Sequence, residues 1–134
     1  MLSAREIRGL FSELIFFKNM LDTGFSEQIV CESWQGVESS HQDFIFSNTA
    51  VEIKSLSGRE RNTVCISSED QLEGVNDKLF MKVFRLIDMP DSNKSLSLNE
   101  MVDQIKVQLK DAETIEKFLG KLVKAGYVEL RIYD

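Results

Sequence analysis

The sequence predicts an α/β (α+β) domain in which a helix is followed by a central mixed sheet of about four to five strands with helices on its faces, then a C-terminal helical pair plus strand. Three observations support this class: an amphipathic opening helix, short apolar runs between turn residues in the middle, and helical periodicity in the last third. With 134 residues, 43% of them hydrophobic, the chain is long enough to bury one core. We therefore expect a single domain over residues 1–134, which is either a short protein or a fragment of a longer one.

The opening helix is predicted over residues 4–21, because apolar side chains recur at helical spacing from Ile7 to Met20. Gly24 follows, and glycine suits the left-handed conformation that ends many helices. The next segment, SEQIVCESW at residues 26–34, contains consecutive apolar residues and predicts a strand.

A hairpin is predicted from DFIFS at residues 43–47 and AVEIKS at residues 50–55. A two-residue turn at Asn48 and Thr49, with Asn48 at positive φ, would make Asp43 face Lys54 across the strands. Alternation then divides the side chains between two faces. The polar face has Asp43, Ile45, Ser47, Ala50, Glu52 and Lys54, and the apolar face has Phe44, Phe46, Val51 and Ile53.

The remaining elements follow in order. TVCIS at residues 63–67 predicts a strand, SEDQLEG at 68–74 a helical turn, and KLFMKVFRLID at 78–88 a longer strand. Ser97 and Glu100 have capping-box spacing and begin a helix that continues to about Leu109, and a second helix is predicted over residues 111–125. YVELRIYD at 127–134 alternates like a strand. This extension over residues 97–134 suits either a helical cover for the sheet or half a winged helix.

The composition limits the classes of function. The net charge is −6, which argues against broad electrostatic capture of nucleic acid. A DNA contact would have to be local, assisted by a metal, or supplied by another domain or subunit. The local basic candidates are Arg59, Arg61, Lys78, Lys82 and Lys94. The two cysteines, Cys31 and Cys65, lack zinc-site spacing, and no apolar run reaches the roughly 20 residues of a membrane span, so we expect a cytoplasmic protein.

The charges of the hairpin suggest a cation site. Asp43 and Glu52 would lie diagonally, about 7 Å apart, a gap that two carboxylates can close around one divalent cation. Lys54 could orient or help to deprotonate an attacking water. The alternative is a solvated salt bridge, which contributes under about 1 kcal/mol. Glu52-Ile53-Lys54 is the only acid-x-lysine triplet in the chain, and this favours the site.

On these residues the sequence resembles the PD-(D/E)XK nuclease superfamily, whose core runs helix, three strands, helix, strand, with an aspartate on the second strand and acid-x-lysine on the third. More closely, it is similar to a PD-(D/E)XK family found among bacterial restriction and phage-defence genes, formerly a domain of unknown function. The matching segments are GLFSELIFF, HQDFIF, VEIKS, ISSEDQL and LSLNEMV with a later GY. The resemblance implies a restriction-endonuclease-like core.

The resemblance also implies roles for individual residues. Asp43 and Glu52 would bind Mg²⁺ (or Mn²⁺) together with the Ile53 carbonyl, and Lys54 would assist the nucleophilic water. Glu13 matches an acidic helix position that joins the metal site or holds its water, although a surface glutamate is the alternative. Gln71 matches a polar position that contacts the site or the substrate backbone, although a turn cap is the alternative.

The function implied is a Mg²⁺-dependent DNA endonuclease that hydrolyses phosphodiester bonds with a metal-activated water. A homodimer, or other subunits of a restriction or defence system, remains open as the partner. The competing hypothesis is a catalytically inactive domain of the same fold that serves as an assembly or DNA-recognition module, because a fold does not establish an activity.

Overall fold

A computed structural model of the chain describes residues 2–36, 42–57, 78–87, 96–129 and 133. Within these ranges there are four helices and one three-stranded mixed sheet, which is a mixed α+β architecture. The elements are α1 (Ala4–Thr23), α2 (Glu27–Ser33), β1 (Phe44–Phe46), β2 (Thr49–Ser57), β3 (Lys78–Leu86), α3 (Leu98–Gln108) and α4 (Ala112–Lys124). The elements predicted at residues 63–67 and 68–74 lie outside the described residues.

Helix α1 forms where its periodicity predicts, and both of its ends are capped. The Ser3 hydroxyl accepts the Glu6 N–H, and the Glu6 carboxylate accepts the Ser3 N–H, which is a complete capping box. Gly24 ends the helix at φ 112°, a conformation that glycine adopts without a steric penalty. The buried face of α1 carries Leu10, Ser12, Leu14, Phe17 and Met20.

The strand predicted at residues 26–34 is wrong, because this segment forms helix α2. Ser26 caps the helix by accepting the Ile29 N–H at 3.2 Å, and one face buries Val30, Cys31 and Trp34. These three residues follow the i, i+1, i+4 spacing of a short helix. An apolar run of this length fits a strand or a helix equally well, so the tertiary contacts decide between them.

Strand β2 lies at the centre of the described sheet. It pairs antiparallel with β1 and parallel with β3 along its whole length, from Thr49 opposite Lys78 to Ser57 opposite Leu86. Parallel neighbours require a connection longer than a hairpin turn, and residues 58–77 lie between β2 and β3 in the sequence. The strand predicted at residues 78–88 is confirmed as β3.

The hairpin register differs from the prediction by two residues. Phe46 pairs with Thr49 and Phe44 with Val51, so the turn residues are Ser47 and Asn48, and the positive φ of 50° falls on Ser47. A shift of two residues keeps every side chain on its predicted face. Continued by one step, the observed register places Asp43 opposite Glu52, and the predicted pairing of Asp43 with Lys54 is wrong.

The C-terminal helices add their buried residues to the same core. Helix α3 packs against α1 and α4 against α2, and Met101, Ile105 and Phe118 lie in one buried cluster with Phe44 and Ile53. The Ser97 capping box and the Asp111 cap form at the predicted starts of the two helices. The strand predicted at residues 127–134 is wrong for its described part, where Tyr127–Glu129 are irregular. None of the described helices has the length and hydropathy needed to cross a membrane.

Candidate metal site at the hairpin

Three hydrogen bonds hold Asp43 in place, two through its backbone and one through its side chain. Its N–H donates to the Val51 carbonyl at 3.2 Å, and its own carbonyl accepts the Gln35 N–H at 2.8 Å. Its side-chain Oδ2 accepts the Ile53 N–H at 2.7 Å. Asp43 therefore holds β2 on either side of Glu52, which keeps the two acidic residues adjacent.

The Glu52 side chain is buried beside Asp43. Glu52 is 5% exposed, and in the observed register it lies opposite Asp43. Lys54 Nζ lies 3.6 Å from Glu52 Oε1. Glu52 Oε2 is buried without a hydrogen-bond partner, and a buried unpartnered carboxylate oxygen is costly unless a further group binds it.

Glu13 brings a third carboxyl group from α1. Its Oε1 accepts the indole N–H of Trp34 at 2.9 Å, and its charge interacts with those of Asp43 and Glu52. Glu13 lies three residues after Leu10 and four before Phe17, so helical spacing places it on the same side of α1 as these two buried residues. The three carboxyl groups and Lys54 thus interact through their charges where α1 packs against β2.

The environment raises the pKa of all three carboxyl groups. Burial is the main cause for Glu13, and the negative charge of Asp43 adds to it, so that its pKa rises to about 8. Burial and the charge of Asp43 likewise raise the pKa of Glu52 to about 7, against the opposing effect of Lys54. Burial also raises the pKa of Asp43, although the Ile53 N–H and Glu52 favour its ionised form. The three carboxyl groups therefore hold their protons more tightly than ordinary carboxyl groups do, and a bound cation would favour their ionised forms.

The hypothesis of an exposed salt bridge is wrong for this hairpin, because the Glu52 side chain is 6% exposed and that of Lys54 is 21% exposed. The alternative that Glu13 is a surface glutamate is wrong as well, since Glu13 contacts Trp34 inside the fold. Asp43, Glu52, Lys54 and Glu13 are brought together, with Ile53 between two of them. Gln71 lies outside the described residues.

The ligand set suits a hard cation that retains much of its hydration. Among the described residues, no group of three or more His, Cys, Asp or Glu side chains is arranged as a metal site. The protein ligands would therefore be the carboxylates of Asp43 and Glu52 with a backbone carbonyl such as that of Ile53, and Mg²⁺ commonly keeps several waters beside one or two carboxylates. The unpartnered Glu52 Oε2 fits such a cation, and so does the raised pKa of Glu52, which a bound cation would lower.

Two further residues, one in contact with Glu13 and one on the same sheet face as Glu52, are not predicted from the sequence. Trp34, the single tryptophan of the chain, lies in a segment predicted as a strand, and its contact with Glu13 depends on helix α2. Arg85 pairs with Leu56 and so lies on the same face of the sheet as Glu52 and Lys54. Lys78 and Lys82 pair with Thr49 and Ile53, which places them on the opposite face.

Comparison with known proteins identifies one family. The model of a family described as "Putative PD-(D/E)XK family member" matches residues 1–133. A search of curated proteins and a search of solved structures found no match. The family match covers the first helix, the hairpin with its acid-x-lysine triplet, and the C-terminal helices.

Proposed function

We propose that this chain, which belongs to the PD-(D/E)XK family that its sequence matches over residues 1–133, is a divalent-metal-dependent DNA endonuclease of restriction or phage-defence type. The observation that carries the proposal is the buried carboxyl pair of Asp43 and Glu52, with an unpartnered oxygen on Glu52 and Lys54 beside it. A purely structural pair has no need of a third acid, yet Glu13 adds one from α1. The restriction-endonuclease-like layout, with further strands beyond the three described, is part of the same proposal.

The chemistry divides between the cation and the side chains. Bound Mg²⁺ or Mn²⁺ would supply positive charge for a water nucleophile and for the phosphoryl oxygens. Asp43 and Glu52, with the Ile53 carbonyl, would hold the cation, and Glu13 would hold a water beside it. The Lys54 ammonium would orient the attacking water and offset charge that develops on the phosphoryl oxygens, whereas Lys54 could accept the proton of that water only as the neutral amine. Gln71 remains a proposed contact to the site or the substrate backbone.

DNA binding must work against the net charge of −6. The cation itself offsets part of the repulsion, and Arg85 offers a positive charge on the Glu52 and Lys54 face. A homodimer or other subunits of a defence system would add further basic surface. We therefore expect DNA binding that depends on the divalent cation and weakens with added salt.

Cleavage of supercoiled plasmid and linear DNA in Mg²⁺ or Mn²⁺ tests the proposal. Wild type should nick or linearise the plasmid, whereas Asp43→Ala and Lys54→Ala should lower the rate by at least about 100-fold, the scale of a lost acid–base or charge-stabilising group. Asp103→Ala is the matched control, because Asp103 is exposed on α3, and it should cut like wild type. Calorimetry should show Mn²⁺ uptake that Asp43→Ala abolishes and Lys54→Ala retains.

The second candidate function is an inactive domain that recognises DNA or assembles a defence complex. It is favoured by the lack, among the described residues, of a three-ligand group that could hold a metal. Wild type that is as inert as both variants, and that takes up no Mn²⁺, would overturn the nuclease proposal in favour of this one.

A further inference from the structure

The indole of Trp34 is directed at the acidic cluster. Trp34 is fully buried, and its Nε1–H donates to Glu13 Oε1 at 2.9 Å. A buried indole N–H requires an acceptor, and a carboxylate is a strong one. The indole is a neutral donor, so it fixes the direction of the Glu13 carboxylate without cancelling the negative charge that a cation would bind.

The position of Trp34 is itself fixed by three elements. Its ring packs edge-on against Phe17 of α1, with 5.7 Å between ring centroids, and lies at a tilt of 41° against Phe118 of α4, with 5.8 Å between centroids. Its backbone N–H caps α2 by donating to the Val30 carbonyl, and its backbone carbonyl accepts a hydrogen bond from the Lys121 ammonium of α4. The indole therefore has little freedom to follow Glu13, and Glu13 must orient to the indole.

The same short segment also holds the other side of the site. Trp34 forms an isolated antiparallel bridge with Phe44, and the next residue, Gln35, donates its N–H to the Asp43 carbonyl. Residues 34 and 35 thus bind the side chain of Glu13 and the main chain of Asp43 at once. This gives one rigid connection between an acid on α1 and an acid on the hairpin.

We propose that Trp34 is a positioning residue that holds the Glu13 carboxylate at the divalent-cation site through its indole N–H, an inference that rests on the proposed function. Hydrogen-bond partners that orient metal-site ligands typically change metal affinity by 10- to 100-fold when they are removed. Trp34→Phe deletes the N–H and keeps an aromatic ring in the core.

Mn²⁺ calorimetry on the full chain provides the first test. Trp34→Phe should weaken Mn²⁺ binding by at least about 10-fold, and it should have no further effect when Glu13→Gln is already present. Phe118→Leu is the matched control, because it loosens the packing around Trp34 while keeping the indole N–H, and it should weaken Mn²⁺ binding by less than Trp34→Phe does. Equal affinity of Trp34→Phe and wild type, or equal losses in Trp34→Phe and Phe118→Leu, would overturn the inference and leave the nuclease proposal standing. Wild type without Mn²⁺ uptake would overturn both.

The indole proton gives a second readout that is independent of activity. Trp34 is the only tryptophan, so one indole N–H signal appears in a ¹H–¹⁵N spectrum. Glu13→Gln should shift this signal because an amide oxygen is a weaker acceptor than a carboxylate, and Mg²⁺ should shift it in wild type. The exposed control Glu116→Gln should leave it in place. An indole signal that neither Glu13→Gln nor Mg²⁺ moves would overturn the proposed role.

Discussion

At the scale of single residues, the acidic cluster links stability to pH. The pKa of Glu13 rises from an ordinary value near 4.5 to about 8, mainly because of burial, so the folded state binds its proton more tightly than the unfolded state does. Stability is then greatest below the unfolded pKa and falls as the pH rises toward the folded pKa. The metal-free protein should therefore lose stability between about pH 4.5 and pH 8, in the range set by the pKa of Glu13.

Glu13→Gln should remove much of this pH dependence. The amide imitates the protonated side chain, still offers an oxygen to the Trp34 N–H, and carries no charge to repel Asp43. In urea melts with chelator at pH 8, the variant should be more stable than wild type by at least about 1.4 kcal/mol, the equivalent of one pKa unit. Glu116→Gln, on an exposed position of α4, should follow the wild-type curve. A wild type that grows more stable from pH 5 to pH 8 would contradict the prediction.

The buried hydroxyl of Ser12 lowers the stability of the fold. Ser12 is fully buried on α1, and its hydroxyl has no hydrogen-bond partner. Removing an unsatisfied buried hydroxyl recovers its desolvation cost, and alanine is also the better helix former. Ser12→Ala should raise the free energy of unfolding by about 1 kcal/mol in urea titrations. Ser12→Gly is the comparison, and it should lie about 1 kcal/mol below the alanine variant because glycine weakens a helix interior. Loss of stability in Ser12→Ala would show that the hydroxyl has a partner.

The identities of the acidic residues could be predicted from the sequence, because one acid-x-lysine triplet occurs and alternation assigns its face. The sequence could not predict which of these residues lies opposite Asp43 in the hairpin. Turns at Ser47 and Asn48 or at Asn48 and Thr49 give the same two faces, since they differ by a two-residue shift in register. The apolar pattern excludes a register shifted by one residue, but it does not distinguish between two registers that differ by two residues. Packing selects the observed register, in which Asp43 comes opposite Glu52 rather than Lys54.

At the scale of secondary-structure elements, the hairpin turn carries a testable backbone constraint. Ser47 adopts φ 50° at the first turn position, where a β-branched side chain clashes and glycine does not. Ser47→Val should cost about 1–2 kcal/mol, the penalty of a left-handed conformation, whereas Ser47→Gly should be at least as stable as wild type. Thermal melts of the pair compare the two substitutions at one position. If valine is tolerated as well as glycine, the turn does not lie at Ser47.

Helix α2 shows why some elements escape prediction. Its seven residues are too few for periodicity to separate a helix from a strand. The Ser26 cap was available in the sequence, but the decisive contacts come from Phe118 and Lys121 of α4, almost 90 residues away in the chain. Helices α1, α3 and α4 were predictable because they are longer and carry cap residues at both ends or at their start.

At the scale of the whole molecule, the two ends of the chain meet at the core. The Tyr133 hydroxyl accepts the Leu2 N–H at 3.0 Å, and the Tyr133 ring stacks on Tyr127 at 5.8 Å. Gly126, at φ 90°, lies close enough that an added Cβ would come within 3.1 Å of the Leu2 side chain. The alternation of YVELRIYD predicts a strand, but these tertiary contacts with the start of α1 decide the conformation of its described part.

The prediction of a single domain over residues 1–134 implies that the metal site and the C-terminal segment unfold together. Tyr133 is 3% exposed, so Tyr133→Ala removes a buried ring and should cost about 3 kcal/mol, whereas Tyr133→Phe removes only the hydroxyl and should cost about 1 kcal/mol. Trp34 fluorescence reports on the site, and far-UV circular dichroism reports on all helices. For each variant, both signals should show a single urea transition with the same midpoint, shifted by the same amount from that of wild type. If the fluorescence midpoint stays at its wild-type value while the circular dichroism midpoint falls, the C-terminal segment unfolds separately from the site and the single-domain prediction is wrong.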